Sequence, residues 1–162
     1  MKVLGIDPST RTGLVFISLE QAYISTTVLQ FPDRRGMFRV QSIAEAFAAY
    51  LGERSPDLAV IEGYVQGPNP ATVFKQVEIG TVLRLALHNL GKPWYLCPPS
   101  TLKKYATGNG RSKKPEVAAA VKERWGFECP SDDVVDAYVL AKIGQDLAEN
   151  GVTTALSGVE RG

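Results

Sequence analysis

The sequence predicts a mixed α/β fold: an antiparallel meander joined to parallel strands by helical crossovers, five strands in all, flanked by helices. Three observations lead there. Three short apolar or β-branched runs, at residues 3–7, 14–17 and 23–29, precede any helical pattern and are joined by short, turn-rich links. After them, apolar strand-like runs alternate with stretches of helical periodicity, the pattern of parallel strands with crossover helices. The chain has 162 residues, 44% hydrophobic and 22% charged, enough for one domain with a sizeable core.

Each element has its own signal. Val3, Leu4, Gly5, Ile6 and Asp7 form a short apolar run stopped by Pro8. Residues 14–17 and 23–29 are rich in β-branched and aromatic side chains. The segment 31–36, with Pro32, Asp33 and Gly36, reads as a loop. Val40, Ile43, Ala44, Phe47 and Leu51 then recur at helical spacing, and Ser55-Pro56 ends that helix. Residues 58–61 form a fourth strand with Glu62 at its carboxyl end, followed by a loop with two Gly and two Pro up to Pro70.

A long helix is predicted from Ala71 to about Leu90, closed by Gly91. Residues 94–97 form the fifth strand, stopped by Pro98-Pro99. Residues 101–105 suit one or two helical turns, and 107–110 a flexible loop. Pro115 fits the first turn of a helix that continues from Glu116 to Trp125. Ser131 is placed to cap a last helix running from Asp132 to about Asn150. The tail, 151–162, carries little signal and is left open to disorder.

Nothing is long and apolar enough to span a membrane, and Asp7 interrupts the first apolar run too early for a signal peptide. Cys97 and Cys129 are far apart with no second pair. They read as reduced thiols, which points to the cytoplasm. The net charge is only +1. Between Lys103 and Arg124, however, Lys103, Lys104, Arg111, Lys113, Lys114, Lys122 and Arg124 face only Glu116 and Glu123. A basic strip of this kind suits phosphate binding, and equally a solvated helical surface.

Four acids carry the chemistry. Asp7 and Glu62 end predicted strands, and sites in such sheets form beyond the carboxyl ends of parallel strands. Asp133 and Asp136 are three apart at a helix start, hence on one face, with Leu140, Ile143 and Leu147 below them to pack on the sheet. Singly, each has an ordinary reading as a turn residue, a strand-end acid or a helix-dipole acid. Together, four close carboxylates repel unless a cation lies among them. Oxygen donors without Cys or His suit Mg²⁺ or Mn²⁺. Two such ions, about 3.5–4 Å apart, would clamp a phosphate and activate water for in-line attack. His88, the only histidine, lies mid-helix and is left outside the mechanism.

The residues also match a known family. Gly5-Ile6-Asp7-Pro8-Ser9 with Thr12-Gly13, then Val60-Ile61-Glu62, then Asp133-Val134-Val135-Asp136-Ala137 resemble, in order and spacing, the three acidic motifs of RuvC-type Holliday-junction resolvases. The resemblance covers roughly residues 1–147. It implies an RNase H-like nuclease domain over residues 1–150 and a homodimer that nicks opposing strands of a four-way DNA junction symmetrically. It also implies Mg²⁺ dependence, with Asp7, Glu62, Asp133 and Asp136 as catalytic metal-binding acids, and products with 5′-phosphate and 3′-hydroxyl ends. Asp132 falls outside the pattern.

By position, Lys103 and Lys114 match the family's basic residues and imply phosphate contacts. Lys104, Arg111, Lys113 and Tyr64 are further candidates for DNA contact. Three features depart from the family: Ser9 stands where Gly is frequent, Val65 stands where the family carries an aromatic, and the Pro/Gly-rich loop from Gly63 to Pro70 reads differently. A phage or otherwise divergent member would fit. Other readings stay open: a broader flap or branched-DNA nuclease, an RNase H for RNA–DNA hybrids, a non-catalytic DNA-binding module, or a fragment of an actin-like ATPase. Protein partners, such as branch-migration proteins, are not readable from the chain.

Overall fold

The computed structural model describes residues 1–64 and 69–162. In chain order the elements are β1 (Lys2–Asp7), β2 (Arg11–Ser18), β3 (Tyr23–Gln30), α1 (Gly36–Arg54), β4 (Leu58–Glu62), α2 (Pro70–Asn89), β5 (Trp94–Cys97), α3 (Pro99–Thr107), α4 (Lys114–Trp125), α5 (Asp132–Asn150), a 3-10 turn (Thr154–Leu156) and β6 (Glu160–Arg161). The strands form one sheet in the order β3-β2-β1-β4-β5-β6. β1–β2 and β2–β3 pair antiparallel, while β1–β4 and β4–β5 pair parallel.

The predicted meander and crossovers are therefore present, with one addition. The sheet has six strands, because the tail left open to disorder folds back. Leu156 and Val159 are buried, and β6 pairs antiparallel with β5. Backbone pairing with an exposed sheet edge supplies order that a local pattern does not encode. Ser131 does precede α5, but its hydroxyl makes no capping bond and is buried without a partner among the described residues. Its carbonyl instead accepts from the N–H groups of Val134 and Val135.

Alternation along the strands sorts side chains into two cores. Leu4, Ile6, Leu14, Phe16, Ala59 and Ile61 pack against Ile43 and Phe47 of α1 and Leu83 and Leu87 of α2. Val15, Ile17, Leu58 and Val60 face the other way, against Ala137, Leu140, Ala141 and Ile143 of α5. By the same period, Asp7 and Glu62 belong to the α5 side. The parallel register pairs Ile6 with Ile61, so these acids sit at the ends of adjacent strands.

Helix α5 lies closer to the sheet than side chains at every position would permit. A Cβ at Gly5 would sit 1.9 Å from the Ala137 carbonyl oxygen, and one at Gly13 would sit 2.2 Å from that of Asp133. Gly13 is the register partner of Asp7. The glycine opposite Asp7 thus lets the acidic first turn of α5 settle beside the end of β1.

Candidate active site

Asp7 closes β1 and is only 5% exposed. The turn after it is pinned locally: Thr12 Oγ1 donates to the Ser9 carbonyl at 2.7 Å, and the Arg11 N–H donates to Ser9 Oγ at 3.0 Å. Glu62 closes β4, and the next residue is fixed by the Gly63 N–H donating to the Cys97 carbonyl at 2.8 Å. Asp133 and Asp136 project from the first turns of α5. All four acids line one cavity of about 240 Å³, together with Lys103 of α3 and Lys114 of α4. Asp132, on the same turn, does not line it. Its carboxylate lies outward, 3.6 Å from Lys114 Nζ.

The acids strain against one another. Burial, then Glu62, Asp136 and Asp133, push the Asp7 carboxyl well above the usual carboxylate range, with Lys114 pulling the other way. Glu62 is raised to about 7, chiefly by burial and then by Asp136. Burial also raises Asp136 to about 6, despite Lys114. Burial alone would lower Lys114, but Asp136, Asp132, Asp7 and Asp133 outweigh it and hold its ammonium charge more tightly. Two lysines do not neutralise four carboxylates, so the cavity is electrostatically incomplete.

Its donor chemistry suits a hard divalent cation: carboxylate oxygens, with no His or Cys in the lining. As placed, no three His, Cys, Asp or Glu side chains among the described residues are drawn into a ready metal-holding group. Cys97 lies behind Glu62, fully buried, its thiol pushed up to about 12 by burial and Glu62, which leaves it inert as a nucleophile. His88 sits on the exposed side of α2, away from this cavity.

The basic candidates separate. Lys103 and Lys114 reach the cavity, whereas Lys104, Arg111 and Lys113 are exposed beyond it. Glu116, one of two acids in the basic strip, is used locally: its carboxylate accepts from the Lys113 N–H at 2.6 Å at the start of α4. Tyr64, expected at the DNA surface, is turned toward the body. Its ring meets the space over Gly80, with the Arg84 guanidinium 5.0 Å from the ring centroid, and its hydroxyl is buried. The absent side chain at Gly80 opens that space. Val65 lies outside the described residues.

Sequence reasoning missed Arg11, whose Nε lies 3.4 Å from an Asp133 carboxylate oxygen, and Ser9 and Gln76, which also line the cavity. Only the spacing of Ser9 and Arg11 from Asp7 could have pointed to the first two. For Gln76 there was no signal. Gly13→Ala is expected to push the first turn of α5 outward and cut cleavage strongly, about 10-fold or more. Turnover and melting temperature measured together check this, since the activity loss should exceed what unfolding explains.

A family model described as Crossover junction endodeoxyribonuclease RuvC matches residues 3–143. The chain belongs to this family. A RuvC crossover junction endodeoxyribonuclease of Corynebacterium diphtheriae is 31% identical over 146 residues, covering 85% of this chain and 90% of the relative. That of Mycobacterium ulcerans is 32% identical over 149 residues, covering 87% and 81%. Among solved structures, Thermus thermophilus RuvC in complex with Holliday junction substrate superposes with a TM-score of 0.78 at 20% identity, covering 99% of both chains. The yeast mitochondrial Holliday junction resolvase superposes with a TM-score of 0.55 at 15% identity, covering 92% of this chain and 81% of that one. The fold is RNase H-like, and this RuvC-family chain is an endonuclease that belongs with metal-dependent nucleases. The binding-module and actin-like readings are thereby set aside.

Proposed function

We propose that this RuvC-family chain resolves four-way DNA junctions by paired symmetric nicks, using Asp7, Glu62, Asp133 and Asp136 to hold two Mg²⁺ ions, with Mn²⁺ able to substitute. The observation that carries the reading is the convergence of these four acids, from three separate elements, in one cavity flanked by Lys103 and Lys114. Held there, the ions would supply Lewis-acid polarisation of the scissile phosphate, activation of water and neutralisation of the leaving 3′-oxygen.

The chain's own groups do the positioning. Lys103 and Lys114 attract and orient the phosphate backbone. The sheet edge and the buried face of α5 hold the acids on rigid elements, so little reorganisation is needed when substrate enters. Lys104, Arg111 and Lys113 extend the basic face outward along α3 and the start of α4.

The test is incubation with a four-way junction, a flap, linear duplex and an RNA–DNA hybrid, with and without Mg²⁺. Preferential, metal-dependent nicking of the junction is expected. Preference for the hybrid would replace the reading with an RNase H, and equal cutting without metal would end the two-ion mechanism. Lys114→Ala is expected to weaken junction binding and make its log–log salt dependence shallower by about one per protomer engaged, about two for a homodimer on one junction. Fluorescence titration across salt concentrations checks it.

Paired nicking requires two such centres, so we place the chain in a homodimer. α2 directs Phe74, Thr81 and Leu85 outward at helical spacing, with Phe74 68% and Leu85 54% exposed. This row supports a contact between copies, and Leu85→Arg is expected to give monomers by sedimentation. Free Cys97 and Cys129 support a cytoplasmic setting. Among the described residues, no helix is long and apolar enough to cross a membrane.

A further inference from the structure

The acid cavity has a second basic flank, on the side opposite the lysines. The segment 31–39 carries Arg34, Arg35 and Arg39 against a single acid, Asp33. It leads out of β3, whose Gln30 is the register partner of Arg11 at the start of β2. The fold therefore brings Arg11 beside three arginines that are already close in sequence.

A second cavity of about 250 Å³ is lined by Thr10, Arg11, Gln30, Phe31, Pro32 and Arg39, so two of the four arginines border it, and Arg34 and Arg35 lie on the turn beside it. The segment is held as a defined turn: the Arg34 N–H donates to the Phe31 carbonyl at 3.1 Å, and Arg39 Nε donates to the Arg34 carbonyl at 2.8 Å. That bond uses one edge of the Arg39 fork. Among the described residues, neither Arg34, Arg35 nor Arg39 has a carboxylate within ion-pair distance. All three are accessible, Arg39 partly so.

Arg11 joins this patch to the acid cavity. Its side chain is 57% exposed and lines the second cavity, yet its Nε reaches an Asp133 carboxylate oxygen at 3.4 Å. Asp133 in turn lines the first cavity. The two cavities thus share a border made of one arginine and one acid. Lys103 and Lys114 come from α3 and α4, whereas the arginines come from β2, the loop before α1 and the first turn of α1. The acids lie between two cationic flanks built from unrelated parts of the chain.

Clustered guanidinium forks without carboxylate partners fit phosphate oxygens. Resting on the reading of the chain as a DNA-junction enzyme, we propose that Arg34, Arg35 and Arg39, with Arg11 at the border, form a second phosphate-binding surface. It grips DNA backbone beyond the scissile strand, on the far side of the acid cavity from Lys103 and Lys114. Single-stranded contact at the lysines would engage one flank, whereas an arm of a branched substrate lying across the cavity engages both.

The test uses Arg34→Gln with Arg35→Gln in the full chain. Among the described residues neither side chain makes a hydrogen bond or ion pair, so the fold should be kept, and the melting temperature checks that. Binding of a fluorescent four-way junction and of a linear duplex is titrated across salt concentrations in EDTA. The log–log salt slope for the junction is expected to become shallower by about two per protomer engaged, about four for a homodimer on one junction, with weaker binding at every salt concentration. Arg34→Lys with Arg35→Lys should restore most of the slope, because charge is kept. An unchanged slope in the Gln variant overturns the proposal, including the case in which only self-association changes, which would make the patch a protein contact. Failure of the wild-type chain to prefer junction over duplex would count against the junction reading. The slope difference between wild type and variant would still decide the arginines.

Discussion

Asp7→Asn is expected to lose cleavage by several orders of magnitude while gaining thermal stability in the absence of divalent cations. The activity loss follows from its place: it is the most buried of the four acids and shares its cavity with the other three. The stability gain follows from the same burial. Asp7 and Glu62 are both raised above their unfolded values, Glu62 from 4.5 to about 7. Between those values the folded protein binds more protons than the unfolded chain, so these groups lower stability as pH rises through that window. Above it, folding must carry buried charges that water would solvate better. Asn at position 7 removes a charge that burial, Glu62, Asp136 and Asp133 all oppose, and its amide N–H can still donate to the Glu62 carboxylate.

The gain should be on the order of 1 kcal/mol or more, or about 2–4 °C per kcal/mol in melting temperature. It should be small near pH 5 and larger at pH 8 in EDTA. Added Mg²⁺ should then stabilise the wild-type chain more than the variant, because binding to the folded state alone adds stability by mass action. Thermal scans at two pH values, with EDTA and with Mg²⁺, read all of this. A variant less stable than wild type at pH 8 in EDTA would show that Asp7 is a structural residue first.

Gly5→Ala is expected to be the most destabilising single-methyl change in the chain. The added Cβ would stand 1.9 Å from the Ala137 carbonyl oxygen and 2.5 Å from the Ala141 nitrogen. Both are backbone atoms of a helix that is buried along most of its length, so no side-chain rotation relieves the clash. α5 must lift from β1, loosening the core formed by Val15, Val60, Leu140 and Ile143. Overpacking of this kind costs about 1–3 kcal/mol where side chains can yield, and more where only backbone can.

Gly52→Ala is the control. Nothing lies within 4 Å of its added Cβ in α1, and replacing a helical glycine should stabilise by about 0.5–1 kcal/mol. Urea titration of both variants gives the comparison. Equal stabilities for Gly5→Ala and wild type would mean that α5 does not depend on this close approach.

The acid set was legible because each acid stands at a point where local pattern changes. Asp7 stands before Pro8, where an apolar strand stops, and Glu62 at the end of another. Asp133 and Asp136 lie one helical turn above the apolar row of Leu140, Ile143 and Leu147, all three buried as expected. Alternation in the strands and spacing in the helix fix which way these side chains point, and both are properties of a few consecutive residues. The basic strip was legible as composition, and the family resemblance singled out Lys103 and Lys114, the two of its seven cations that line the cavity.

Other features needed the fold because they join residues far apart in the chain. Arg11 meets Asp133 across 122 positions, and nothing near either one signals the other. Tyr64 turns inward because Gly80, on a different element, leaves it room. The end of the chain becomes a strand because β5 offers an open edge. Arg11 joins Arg34, Arg35 and Arg39 because β2 and β3 pair in one register. By itself, then, the sequence determined which acids could form a centre and which faces would be buried, since periodicity is written into neighbouring residues. Tertiary structure decided how closely α5 approaches β1, that Arg11 reaches Asp133, and where a second charged flank lies, since those depend on the shapes of surfaces that meet only when the chain is packed.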